Sequence, residues 1–110
     1  DHVSEVVEGL EIGAYEFTDF RAEETPVIGS VELLVSGKEL KQVSAAVGEG
    51  SLVGQAVNYT RQIGNQPGNV VTPEVLAKRA LEAARKYGLK ATVFDAPKLR
   101  AGGFNGILAV

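Results

Sequence analysis

The stretch that decides the organisation of this chain is RQIGNQPGNVVTPEVLA, residues 61–77. Gly64, Asn65, Pro67, Gly68, Asn69, Thr72 and Pro73 crowd into ten positions between two segments with helical periodicity. Each has a separate physical role. Gly64 and Asn65 are the residue types that best tolerate the left-handed conformation ending a helix, and Pro67 cannot continue one. Thr72 is a good N-cap, Pro73 suits the first helical position, and Glu74 is favoured in the first turn. The run therefore stops one helix and starts another.

Outward from this point, the second helix is expected over 73–87, with Leu76, Ala80, Leu81, Ala84 and Tyr87 inward. Glu74–Lys78 and Glu82–Lys86 are i,i+4 pairs in the favourable orientation, and Gly88 with Leu89 closes the helix. ATVFD (91–95) reads as a short strand, Pro97–Ala101 as a helical turn ended by Gly102-Gly103, and Gly106–Val110 as a last apolar strand. Upstream, Val3, Val6, Val7, Leu10, Ala14 and Phe17 form one helical face, and Gly9 and Gly13, four apart, are expected to let a neighbour approach. RAEETP (21–26) reads as a polar loop and VIGSVELLV (27–35) as a β-branched strand.

Ser36 and Glu39 have capping-box spacing. Leu40, Val43, Val47, Val53, Ala56, Val57, Thr60 and Ile63 then run near one helical face. Gly48, Gly50 and Gly54 interrupt that pattern, so a break or bend near 48–50 is expected before a helix to about 63. The order helix–strand–long helix–helix–strand–short helix–strand implies an α/β fold.

Bulk properties fit one soluble globular piece of 110 residues, with 45% hydrophobic and 23% charged residues. A net charge of −3 and a pI near 5.1 argue against nucleic acid and anionic membrane as partners. No apolar run reaches a membrane span and no secretory signal is seen. The lack of cysteine excludes disulfides and thiolate metal sites and fits a cytoplasmic setting. The lack of methionine, and an apolar GILAV ending without a turn, lead to the expectation that both ends are internal to a longer polypeptide.

Candidate chemistry is sparse. GEGSLVG (48–54) has the spacing G-x-G-x-x-x-G with no strand leading in, which suits a helix joint or packing site better than a nucleotide loop. AGGFNG (101–106) lacks the Lys-Ser/Thr that grips phosphate and magnesium. His2 is the single histidine and cannot anchor a zinc site without further nitrogen or sulfur ligands. Asp95 ends a strand, where α/β proteins place sites, but a cap or turn before Pro97 is the simpler role. Asn65, Asn69 and Thr72 suit substrate contact or, more commonly, bonds to local backbone. Arg61 suits an anion clamp or an ion pair across a domain seam. No nucleophile–base pair is recognisable.

Residues 56–110 resemble the two-metal leucyl aminopeptidase (cytosol aminopeptidase) family. The matching positions are Ala56, Asn58 and Arg61 of A-x-N-x-x-R-x-L, and Asn65, Pro67, Asn69, Thr72-Pro73 and Leu76-Ala77 of N-x-P-x-N-x-x-T-P-x-x-L-A. Tyr87-Gly88-Leu89, Asp95 and Gly106 to Val110 continue the pattern, while Ile63 replaces the usual leucine. EVVEGLEIGAYEFTDFR (5–21) resembles the last helix of the family's amino-terminal domain.

The resemblance implies that residues 1–36 end an amino-terminal α/β domain, 37–66 form the connecting helix region, and 67–110 begin the catalytic domain. It also implies a cytoplasmic homohexamer that removes amino-terminal residues from peptides with two divalent ions, zinc or manganese among them. The family's metal-binding and catalytic residues lie beyond G-x-L-A-V. No catalytic, metal or substrate-binding residue is therefore carried onto this chain, which on its own is expected to be inactive and to bind no cofactor. Asn65, Pro67, Asn69, Thr72 and Pro73 are expected to form a rigid elbow between the domains. The alternative is a non-enzymatic binding or assembly module.

Overall fold

The computed structural model describes residues 2–21 and 28–109. The loop expected over 21–26 falls, from Ala22 onward, outside them, as do Val27 and Val110. Five helices are present among the described residues: α1 (His2–Ala14), α2 (Leu40–Gly64), α3 (Pro73–Lys86), α4 (Ala96–Ala101) and α5 (Asn105–Leu108). The chain divides into two compact units, Asp1–Gln66 and Pro67–Val110.

In the first unit, α1 lies against α2. Gly50 is buried against Ser4, Gly54 against Glu8 and Glu11, Asn58 reaches Glu11, and Arg61 reaches Ile12. Residue numbers rise together along both helices, so the two run parallel. The closeness of their approach is set by Gly50 and Gly54. A Cβ on Gly50 would collide with the Ser4 carbonyl oxygen, and one on Gly54 would sit 2.5 Å from Glu11 Cβ. Val7 and Ala46 are the buried apolar side chains of the seam.

Several expectations are corrected here. Gly9 and Gly13 have open space where a Cβ would stand, so the close approach belongs to α2's glycines. α2 is unbroken from Leu40 to Gly64. The inward face of α2 is centred on Ala46, Gly50 and Gly54, leaving Leu40, Val53, Ala56 and Thr60 exposed. Ser36 does not cap α2: its hydroxyl donates to the Glu39 carboxylate at 2.6 Å, and Glu39 occupies the N-cap without a side-chain bond.

The α/β expectation is overturned. No strand occurs among the described residues: 28–35 and 91–95 carry no regular structure, and Asn105–Leu108 is a helical turn. A strand exists only when a neighbour completes its ladder, and these segments have β-like composition without one. At Gly106–Ala109 the backbone bonds locally instead. Ile107 N–H donates to Phe104 O at 3.1 Å and Ala109 N–H to Asn105 O at 3.1 Å.

In the second unit, α3 follows from its caps. Thr72 is extended (φ −75°, ψ 164°), its hydroxyl accepts from Val75 N–H, and Pro73 opens the helix. Gly88 is left-handed (φ 68°), and Leu89 N–H returns to Ala84 O at 2.8 Å, as in a Schellman closure. The expected inner face is not covered: Ala84 is buried, but Leu76, Ala80, Leu81 and Tyr87 are exposed. Lys78 and Glu82 pair on this helix at 4.0 Å.

α4 repeats the closure. Gly103 is left-handed (φ 73°), Phe104 N–H donates to Leu99 O at 3.0 Å, and the Phe104 ring meets Phe94 edge-on at 5.9 Å.

Three outcomes follow. Gly50→Ala should loosen the helix pair by about 1–3 kcal/mol through overpacking, seen as faster hydrogen exchange across α2. Gly48→Ala, with open space at its Cβ, should slow that exchange by up to about 1 kcal/mol of helix propensity. The Glu74 carboxyl is held below its ordinary value, first by its own backbone N–H and then by the Thr72 hydroxyl. A lowered folded pKa means that this contribution to α3 is present above the unfolded pKa and fades as pH falls through the folded one. Thr72→Ala should cost about 1 kcal/mol and move the Glu74 titration upward by NMR.

Candidate functional site

The densest polar constellation among the described residues is the seam between α1 and α2. The last turn of α1 contains no basic residue, and a helix leaves its final carbonyls without intrahelical partners. Side chains of α2 supply them. Asn58 Nδ2 donates to Glu11 O at 2.8 Å, and Arg61 Nη1 donates to Ile12 O at 2.8 Å and to Asn58 Oδ1 at 3.2 Å. The guanidinium also lies over the Tyr15 ring, 4.4 Å from its centroid. A cation at an exposed helix C-terminus contributes about 0.3–1 kcal/mol. Arg61 thus serves as a cap provided from another helix.

The polar contacts continue on both sides. Ser51 Oγ donates to Glu11 Oε1 at 2.6 Å and accepts from Gln55 at 2.9 Å. Tyr15 O–H donates to Gln62 Oε1 at 2.8 Å. Gln62 and Gln66 each donate a side-chain N–H to Asp19 Oδ2 at 2.7 Å. A cavity of about 380 Å³ opens beside α1 between Val7, Leu10, Val47, Ile28 and Val31, with Glu11 as the charged residue on its wall.

The remaining candidates have local roles. His2 pairs with Glu5 at 3.3 Å on an exposed turn. Asp95 is the N-cap of α4, accepting from Lys98 N–H at 2.9 Å. Gly102 and Gly103 belong to the α4 closure. Asn65 is the C-cap of α2, its N–H donating to Arg61 O at 2.8 Å. Pro67 O accepts from Val70 and Val71 N–H, at 2.9 and 3.1 Å, in the turn that carries the exposed Asn69. Thr72 and Pro73 begin α3.

Sequence reasoning picked out Arg61 but missed Tyr15 beneath it and the adjoining bonds among Tyr15, Asp19, Gln62 and Gln66. The available signal was an α1 ending without its own basic residue. The described residues bring no three His, Asp or Glu side chains together. They do not fit a divalent ion, and no step is assigned through one. What the seam can do is bind backbone and order it.

Comparison with known proteins agrees with the motif positions. Residues 58–110 match the model of the cytosol aminopeptidase family, catalytic domain. The match begins inside α2, at Asn58. A probable cytosol aminopeptidase of Syntrophotalea carbinolica is 37% identical over 98% of this chain and 23% of its own length. Those of Persephonella marina and Bdellovibrio bacteriovorus are each 34% identical, over 96% and 100% of this chain. The chain spans about a fifth of the length of these curated relatives, 21% and 22% for the last two. No solved structure matches it significantly. No helix among the described residues is long and apolar enough to cross a membrane. Through a catalytic-domain match that starts at Asn58 and relatives aligned along nearly all of its residues, this chain belongs to the cytosol aminopeptidase family.

Proposed function

We propose that this sequence is the part of a metal-dependent aminopeptidase in which the polypeptide enters its catalytic domain. The whole enzyme releases amino-terminal residues from peptides, uses two divalent ions (zinc or manganese), and works in the cytoplasm as a homohexamer. The carrying observation is the family match over 58–110, together with relatives aligned over 96–100% of this chain.

Within that enzyme the role of these residues is architectural. Residues 1–36 close the amino-terminal domain, 37–66 connect, and 67–110 begin the peptidase domain. The run containing Asn65, Pro67, Asn69, Thr72 and Pro73 is the elbow. What supports this is the series of local bonds along it: α2 closed at Asn65, a turn on Pro67 O, and α3 opened by Thr72 and Pro73. Proline fixes φ at two points of that series. Metal binding and bond cleavage belong to residues outside this chain.

The full-length gene product, assayed with a leucyl peptide and manganese, should release free leucine. Chelation should abolish the release and added manganese or zinc restore it. A full-length protein that stays inactive and takes up no metal refutes the reading, and leaves the binding-module alternative in its place.

A further inference from the structure

The polar seam joins two parts of the chain that the family match separates. Glu11, Ile12, Tyr15 and Asp19 precede the matched segment, whereas Asn58, Arg61, Gln62 and Gln66 are among its first nine residues. On α2, Asn58, Arg61 and Gln62 lie at i, i+3 and i+4, which is one helix face, and Gln66 follows just past the C-cap at Asn65. Opposite them stand, in order, the Glu11 and Ile12 carbonyls, the Tyr15 ring and hydroxyl, and the Asp19 carboxylate.

We propose that these residues form a clasp, in which 11–19 fastens onto the first two turns of the catalytic-domain segment and each side orders the other. Asn58 and Arg61 finish α1, whose final carbonyls take these donors from another helix. In return, Asp19 draws in the side-chain amides of Gln62 and Gln66, on either side of the α2 C-cap at Asn65. The last turn of α2 is thereby held up to the residue before Pro67. Each bond is exposed or partly buried and weak alone, but all share one seam and one closure of the intervening chain. The A-x-N-x-x-R pattern thus acquires a physical role: two donors spaced to meet consecutive carbonyls at the end of a neighbouring helix. The inference rests on side-chain geometry within residues 1–66 and stands whether or not the full-length protein is an active peptidase.

Hydrogen exchange of the full-length protein tests it, comparing the natural sequence with Arg61→Ala, Asp19→Ala and the milder Tyr15→Phe. Arg61→Ala and Asp19→Ala should each accelerate exchange tenfold or more in both 12–19 and 61–66, and leave 73–86 unchanged. Tyr15→Phe should give a smaller acceleration in the same two segments. Acceleration in one segment only, equal acceleration that includes 73–86, or no change in either segment overturns the clasp. Asp19 and Gln66 lie toward the surface, so Asp19→Ala and Gln66→Ala supply the reading if Arg61→Ala fails to fold.

Discussion

The described structure of the first unit depends on how near α1 can come to α2. Side-chain oxygens and amides reach only a few ångströms, so the bonds from Asn58 and Arg61 to the α1 carbonyls require backbones brought close. Gly50 and Gly54 permit that distance by having no Cβ where Ser4 and Glu11 stand. Apolar burial contributes less, because Val7 and Ala46 are the buried side chains of that contact. A steric allowance, rather than a large hydrophobic core, sets the register, and hydrogen bonds then fix it.

What was legible in the sequence is what neighbours along the chain decide. Thr72-Pro73 opens α3, Gly88-Leu89 closes it, and Asp95 with Pro97 opens α4, because each signal and its partner lie within about four residues. The family was legible for the same reason, through spaced positions from Asn58 to Leu89. The site was legible only in part. Arg61 stood out as an anion clamp or one half of an ion pair, whereas it meets the Ile12 carbonyl and the Tyr15 ring, 49 and 46 positions away, and local periodicity contains nothing about them.

The errors have a common physical origin. A strand is a relation between segments, so β-branched composition at 28–35 and 91–95 states a preference that only a ladder partner can realise. A glycine inside a helix signals either weakness or proximity. Three glycines in GEGSLVG suggested a bend, whereas two of them are buried packing positions and α2 continues through all three. The uncovered face of α3 makes the same point for helices. Its caps were readable, yet Leu76, Leu81 and Tyr87 along it stay exposed.

The parallel course of α1 and α2 has a kinetic corollary. Two helices pointing the same way cannot be joined by a tight reversal, and the side-chain bonds described along this seam link residues 40 to 49 positions apart. The first encounter bears nearly all the loop-closure entropy, and later bonds add little to it. Assembly of the pair should accordingly be cooperative and slower than for helices meeting across a short turn. Evolution can lengthen the intervening chain at a cost of only about 0.6 kcal/mol per doubling, whereas a single methyl group at position 50 strikes the backbone of its neighbour.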